Sequence, residues 1–280
     1  MIKVALPNKG QLLEPTVEIL NSCGYTVSKT PKGLRSLDPE NGIEFYFLRP
    51  RDIPIFVASG VFDAGITGKD IAAERGVEAE PLLNLNYGRS RLHAAVLAGS
   101  PYNSLDEIAD LRIATSYPTI TRSFFASKQL RIIELEGAVE ISIELGIADA
   151  VIDVVETGST LELAGLRIVG EPLFRSNAAL FGRPDGGDQE ELQILRSRIE
   201  GRLVALNYMM VEYDCPGAIL EAATRLTPGL ESPTITPLQR EGWLSVKAMI
   251  NKREANRIMD ELSRLGARGI LLTTIETARI

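Results

Sequence analysis

Between Asp153 and Leu161 the sequence reads DVVETGSTL. A carboxylate near the end of an apolar run is followed by a loop of Glu156, Thr157, Gly158, Ser159 and Thr160 that opens a helix at about Leu161. Residues of these types in this order make an anion cradle. Glycine lets the backbone approach closely, successive N–H groups point inward, hydroxyls donate further hydrogen bonds, and the helix N-terminus adds positive potential. A phosphate fits there without a lysine. An acid on the preceding strand can accept hydrogen bonds from vicinal sugar hydroxyls, so acid plus cradle reads as a ribose 5-phosphate site. ETGST alone reads equally well as a hydrophilic turn with Thr157 or Ser159 capping the helix. Asp153 shifts the balance towards a ligand, because a carboxylate on an apolar strand needs a partner. Neither G-x-x-x-x-G-K-[ST] nor G-x-G-x-x-G occurs, which argues against NTP hydrolysis and a dinucleotide cofactor.

Other candidates sit at strand ends. Lys9 and Arg49 closely follow the apolar runs IKVALP and IEFYFL, at the carboxyl ends of a parallel sheet where ligands usually bind; without the motif context a cation at a strand end is more often simply solvated. Asp70 is a ligand candidate or a cap for the next helix, and Asp63 with Gly65 and Gly68 suits a turn. Ser90 is flanked by Arg89 and Arg91, and the sequence leaves open whether either arginine reaches a phosphate. The one histidine, His93, lies in SRLHAAVLA, a strand-like setting that suits a satisfied structural side chain better than a catalytic triad. Cys23 and Cys215 have no second Cys or His nearby, so both read as free thiols in a reducing compartment.

These residues need a scaffold of short buried strands and crossover helices, and the first two hundred residues alternate in that way. IKVALP is a strand, and a helix over 10–23 follows. IEFYFL is a strand, then DIPIFVASG a helix that Asp52 can cap through its carboxylate, with Pro54 tolerated in the first turn. DAGITG is a short strand. RLHAAVLA opens a second unit with the helix-capping run SLDEIADL, the strand RIATSY, helices over 119–128 and 138–146, and the buried strand ADAVIDVV. LRIVGEPL and NAALFGRP return to the first unit, and a long helix spans 189–203. Two α/β lobes joined by more than one crossing leave a cleft, a common ligand location. The expected division is 1–87 with 179–206 as lobe I and 88–178 as lobe II. Residues 207–280 form a separate βαββαβ domain, the split-βαβ or ferredoxin-like order.

Composition narrows the classes further. Thirty basic against 37 acidic side chains give a formal charge of −7, a poor footprint for nonspecific nucleic-acid binding, so any anion must be held locally. No stretch approaches the ~18 apolar residues of a spanning helix, and MIKVALPNKG has too short an apolar run before Pro7 for a secretory signal. A soluble, cytoplasmic protein without nucleic-acid or membrane partners is expected.

The loop, with LPNKGQL near the start, RPRDIPIFVASGVFDAGITGKD in the middle, and YDCP with SPTITPL late, resembles the ATP phosphoribosyltransferase family of histidine biosynthesis over essentially the whole chain. The length and the extra βαββαβ domain resemble the family's long, self-regulated form, whose two catalytic lobes have a periplasmic-binding-protein-like architecture. The resemblance implies a magnesium-dependent transferase that joins the anomeric carbon of phosphoribosyl pyrophosphate to adenine N1 of ATP and releases pyrophosphate. It implies that residues 156–160 and Leu161 hold the 5-phosphate while Asp153 orients the ribosyl hydroxyls. Lys9, Arg49, Asp70 and Ser90 would face ATP and pyrophosphate. Histidine would inhibit at Asp214, Leu230, Thr234 and Gly269, and the chain would form homo-oligomers from dimer to hexamer. Asp214, at a strand end, is equally well placed for a turn or cap. Met209, Met210 and Trp243 suit a core or a subunit contact.

The chemistry agrees with the composition. The nucleophile is a ring-nitrogen lone pair brought by the substrate, so no activated Ser, Cys or His is needed, and a Mg²⁺ carried by phosphates and water needs no protein cage. A binding protein of periplasmic type has the same architecture, but the cradle with Asp153 is surplus to amino-acid capture. Salvage phosphoribosyltransferases carry two adjacent acids before their loop, whereas Val154 and Val155 follow Asp153 here. Gly158→Val is expected to lower turnover on the order of a hundredfold by displacing the bound phosphate, with little change in thermal midpoint; equal activity would remove the loop from the site.

Overall fold

The computed structural model describes residues 1–29, 33–77, 80–155, 159–184 and 189–279, with backbone only at 159 and 160. The chain folds as two units, Met1–Arg196 and Ser197–Ile280. The first unit holds two sheets. Its chain runs β1 (Ile2–Pro7), α1 (Leu13–Ser22), β2 (Arg35–Asp38), β3 (Ile43–Leu48), α2 (Ile53–Ala58), β4 (Ala64–Gly68), α3 (Lys69–Glu74) and β5 (Leu83–Asn84). Then come β6 (Ser90–Leu97), α4 (Leu105–Ile108), β7 (Arg112–Thr115), α5 (Pro118–Phe124), β8 (Arg131–Glu134) and α6 (Ile141–Glu144). The unit continues with β9 (Ala150–Val155), α7 (Ser159–Leu163), β10 (Leu166–Ser176), β11 (Ala178–Gly182) and the start of α8 (Glu190–Asn207).

The lobe I sheet has the order β2-β3-β1-β4-β11-β5. β1 is central and parallel to both β3 and β4, and Val4, Ala5 and Leu6 are fully buried, which is why its sequence is an apolar run with no alternation. α2 packs Ile53 and Val57 over Gly65 of β4, so closely that a Cβ on that glycine would lie 2.6 Å from Ile53 Cγ2 and 2.9 Å from Val57 Cγ2. Asp63, just before β4, accepts from the Lys3 N–H at 2.7 Å and the Gln189 amide at 3.1 Å, and pairs with Arg183 at 3.3 Å. It ties the start of α8 to the sheet rather than shaping a turn alone.

The lobe II sheet has the order β10-β6-β9-β7-β8. β7 and β9 are parallel, so the carboxyl ends of both reach one edge; β6 runs antiparallel to β9 and brings its amino end to that same edge. Two crossings join the lobes. One is the segment from β5 to β6. The other is Asn177, the single residue between β10 and β11. The Asn177 side-chain amide donates to the carbonyls of Leu85 at 2.8 Å and Ala178 at 2.7 Å, and the Ala178 N–H donates to the Tyr87 carbonyl at 3.0 Å. The crossings are therefore laced together, and the strand ends of both lobes face each other across a cleft.

The second unit contains the end of α8, then β12 (Tyr208–Pro216), a 3₁₀ turn with α9 (Leu220–Leu226), β13 (Thr234–Pro237), β14 (Trp243–Asn251), α10 (Ala255–Leu265) and β15 (Arg268–Thr274). The antiparallel sheet has the order β13-β14-β12-β15, the βαββαβ arrangement expected. Val211, Tyr213 and Cys215 from β12 alternate onto one face and meet Ala255, Ile258 and Leu262 of α10, spaced three and four apart. The Tyr213 hydroxyl, carried into that core, shares a 2.8 Å hydrogen bond with the Thr227 hydroxyl. Cys215 is buried and Cys23 half-buried, and neither is in a disulfide.

Several local expectations are corrected. Asp52 makes no side-chain cap on α2; its backbone is already helical, which turns the carboxylate away from the first N–H groups. The helices expected over 119–128 and 138–146 shrink to α5 and α6, because Ala138 adopts a left-handed φ of 52° before α6 and Phe125 leaves helical geometry after α5. The edge strands β2 and β8 have no strong sequence signal, and the last strand stops at Thr274. Ser104 does build the capping box with Glu107 that SLDEIADL suggests. No helix among the described residues is long and apolar enough to cross a membrane.

Gly65→Ala is expected to cost about 1–3 kcal/mol by overpacking α2 against the sheet, read as a lower urea midpoint with an unchanged slope. An unchanged midpoint would mean that α2 is free to move away.

Candidate functional site

The cleft edge of lobe II is built by the ends of β7 and β9 and the start of β6. Asp153 sits two residues from the end of β9, between His93 directly opposite on β6 and the Ser116 that follows β7. The half-buried Asp153 carboxylate accepts the Val154 N–H at 2.8 Å and the Ser116 hydroxyl at 3.3 Å, both on Oδ1. Burial pushes its pKa above the ordinary 3.8; those two donors oppose the shift, nearby Glu140 adds to it, and the Arg51 cation opposes it. A carboxylate so placed is under-compensated and ready to accept further donors such as sugar hydroxyls.

Glu156, Thr157 and Gly158 lie outside the described residues. Ser159 and Thr160 form the backbone of the first turn of α7. Leu161 is only 8% exposed and packs with Val151, Ala95 and Val139, so its side chain anchors the helix to the core and only its backbone can face a ligand.

On the lobe I side, Asp70 is buried, and its partners come from across the hinge. The Ser176 hydroxyl donates to Asp70 Oδ1 at 2.7 Å and accepts the Asp70 N–H at 3.0 Å, while the Tyr117 hydroxyl donates to Oδ2 at 3.3 Å. The helix-capping alternative for Asp70 does not hold, since α3 has no side-chain cap. Burial, followed by the charges of Asp70 and Asp153, drives the Tyr117 pKa well above its usual value, so the phenol stays a proton donor. Arg51 donates to the Ser116 carbonyl at 3.1 Å and stands 5.8 Å above the Tyr117 ring. Glu74 accepts the N–H groups of Thr119 and Ile120 at 3.0 and 3.1 Å, occupying the free donors at the start of α5 with a carboxylate from the other lobe.

Tyr117, Ser116, Arg51, Ser176 and Glu74 are not singled out by the sequence. Of these, Arg51 alone carries a signal, as the second arginine of RPRD. Lys9 and Arg49 are both exposed just beyond β1 and β3, without an ion pair among the described residues. Ser90 opens β6 directly opposite Ser176 of β10. Beside them lies a cavity of about 520 Å³ whose walls include Lys69, Arg89, Arg91 and Arg175 with Ser90 and Ser176. His93 is not the fully satisfied side chain expected. Its Nδ1 is buried with no hydrogen-bond partner among the described residues, and burial, then the Arg91 and Arg175 cations, hold its pKa below 6.5 against the pull of Glu171.

In the second unit Asp214 and Gly269 are neighbours. The glycine has φ 57°, and a Cβ there would stand 3.6 Å from Asp214 Oδ2. Thr234 lies on β13, two strands from β12, and Leu230 is 47% exposed in the preceding loop. Within one chain Asp214 and Gly269 are together, whereas Thr234 stands two strand spacings, roughly 10 Å, from β12.

Residues 49–201 match the ATP phosphoribosyltransferase family and residues 205–277 match the C-terminal domain of that family. ATP phosphoribosyltransferases of Streptomyces avermitilis and Pseudarthrobacter chlorophenolicus are each 45% identical, with all of both chains covered. Among solved structures, a chain of the ATP phosphoribosyl transferase (HisG:HisZ) complex from Thermotoga maritima aligns with a TM-score of 0.62 at 27% identity, covering 71% of this chain and 96% of that one.

Because burial raises the Asp153 pKa, the folded protein binds this proton more tightly than the unfolded chain does. Stability is then lost as pH rises from below the ordinary value of 3.8 through the raised folded value. Asp153→Asn keeps the Oδ1 acceptor and removes the charge. It should abolish turnover yet raise the thermal midpoint at neutral pH, with the gain shrinking towards about pH 4. A gain that is absent, or independent of pH, would mean that Asp153 is not held in a poorly hydrated site.

Proposed function

The chain belongs to the ATP phosphoribosyltransferase family of histidine biosynthesis, and from that premise we propose that it transfers the phosphoribosyl group of phosphoribosyl pyrophosphate to N1 of ATP, releases pyrophosphate, and is feedback-inhibited by histidine. The observation that carries this reading is Asp153. It is a partly desolvated carboxylate at the cleft end of β9, immediately before the segment that has the composition of a phosphate loop.

In the reaction the bond from the anomeric carbon to the pyrophosphate oxygen breaks, and the adenine N1 lone pair forms the new bond. The ribosyl centre carries positive character between the arriving base and the departing diphosphate. Positioning and electrostatics supply the rate enhancement, with no covalent enzyme intermediate. Asp153 accepts the ribosyl hydroxyls, and its negative charge lies near the developing cation. Residues 156–160 would hold the 5-phosphate through backbone N–H groups. Tyr117, kept protonated, donates to Asp70 across the cleft, and this pair would hold the two lobes in register around the nucleotide. Ser90, Lys9 and Arg49 stand at the same strand ends for the nucleotide and pyrophosphate.

Magnesium would arrive on the diphosphate. Among the described residues no three carboxylate, thiol or imidazole groups converge on one point, a donor set that suits a cation held mainly by phosphate oxygens and water. It would neutralise the leaving group. Histidine would bind in the second unit. Asp214 meets its ammonium or imidazole beside Gly269, and Leu230 and Thr234 would come from another subunit of a dimer or hexamer. A cytoplasmic location accords with ATP as substrate.

Mixing the protein with ATP, phosphoribosyl pyrophosphate and Mg²⁺ should raise the near-ultraviolet absorbance as phosphoribosyl-ATP forms. Histidine should suppress the rate in the parent and not in Asp214→Ala. Folded protein that gives no signal would refute the transfer, and inhibition that persists in Asp214→Ala would place the effector elsewhere.

A further inference from the structure

Register places like charges face to face in lobe II. Arg175 of β10 is directly opposite Arg91 of β6, which is in turn opposite Val155 of β9; the next row along holds His93 and Asp153. Residues paired in this way share one face of a sheet, so Arg91 and Arg175 stand on the Asp153 face, one row closer to the cleft. Like charges directly opposite on neighbouring strands destabilise a sheet. Glu171 offsets part of this, through an exposed pair with Arg175 at 3.3 Å. Lys69 from the start of α3 and Arg89 from the crossing enter the same cavity, and neither these two nor Arg91 has an ion pair among the described residues. Asp70, the neighbouring acid, is already bonded to Ser176 and Tyr117. The chain as a whole carries −7, so four converging cations in a concave wall are a local concentration against the general charge.

We infer that Lys69, Arg89, Arg91 and Arg175 form a polyphosphate-binding subsite at the hinge, which takes the phosphate chain of a substrate whose reacting end lies at Asp153. Three arginines and a lysine, ion-paired among the described residues only through the exposed Glu171, match the charge of a di- or triphosphate, and arginine forks bind its oxygens bidentately. The cavity of about 520 Å³ is large enough for such a chain. Its wall includes Ser90 and Ser176, whose hydroxyls can donate where the arginines do not reach. This extends the proposed transfer reaction and rests on it for the identity of the carrier, which is the triphosphate of ATP or the diphosphate of phosphoribosyl pyrophosphate. The chemistry of the pocket is the same for both.

The test uses the full chain and inorganic tripolyphosphate as a probe. Calorimetric titration should show binding to the parent that weakens as salt rises, and should show at least about a tenfold loss in Arg91→Gln/Arg175→Gln, since a hydrogen bond to a charged group contributes about 1.5–3 kcal/mol. Without ligand the double variant should melt no lower than the parent. Tripolyphosphate should raise the parent's melting temperature and leave the variant's unchanged, a contrast that a merely structural role would not produce. In steady-state assays the KM of one substrate should rise at least about tenfold while that of the other stays put. A rise for ATP assigns the pocket to its triphosphate, and a rise for phosphoribosyl pyrophosphate assigns it to the diphosphate. If the double variant does not fold, Lys69→Gln should give the same pattern in weaker form. Equal tripolyphosphate affinity in parent and variant overturns the subsite. Lost affinity in the variant together with no turnover in the parent would refute the transfer reaction and leave the subsite standing.

Discussion

A carboxylate taken out of water must find donors or lose its charge, and the cleft of the first unit is organised by how two of them are treated. The Asp70 carboxylate accepts the Ser176 hydroxyl on one oxygen and the Tyr117 hydroxyl on the other, and the Asp70 N–H donates back to the same serine, all with groups that belong to the opposite lobe. Asp153 receives a neighbouring N–H and the Ser116 hydroxyl on the same oxygen, Oδ1. The first is satisfied by holding the lobes together. The second is left with an unmet demand that burial intensifies, the property expected of a group that waits for a ligand.

Polar contacts carry much of the tie between the lobes, beside the packing of Ala73 of α3 against the lobe II core. Arg51, Glu74 and the Asp70 cluster bridge them on the cleft side, and the lacing of Asn177 to the antiparallel crossing holds the back. Such an interface is specific in geometry yet modest in energy, since net contributions of single hydrogen bonds are about 1 kcal/mol. It suits a hinge that must present two sets of strand ends in a defined relation and still admit substrates. The same economy explains why short helices suffice here. α3 and α5 are six and seven residues long, but each places a charged or polar first turn where the two lobes meet.

Much of this architecture is legible in the order of residues. Buried parallel strands read as unbroken apolar runs because neither face meets water, and IKVALP and ADAVIDVV are plain for that reason. The βαββαβ order of the last unit follows from alternating apolar positions in β12 and β14 and from the spacing of Ile258 and Leu262 in α10. Edge strands such as β2 and β8, with one side in solvent, carry no such pattern and stay hidden in the sequence. Periodicity overextends the short helices because it marks a face and does not mark where a backbone turns, as Ala138 does at φ 52°.

For the site, the sequence by itself determined which chemistry was available: an acid at the end of an apolar strand, a glycine-bearing hydroxyl loop, cations beyond strand ends, and motifs shared with one family. Local order can specify these, since each lies within a few residues of the element that presents it. Only the tertiary structure decided the partners. Asp70 with Ser176 and Tyr117, Glu74 with the start of α5, and Arg91 facing Arg175 are far apart along the chain, and each pairing is set by strand register and by the two crossings. A change of one residue in register would turn Arg91 to the opposite face of its sheet, and nothing in its immediate neighbours along the chain says which face that is.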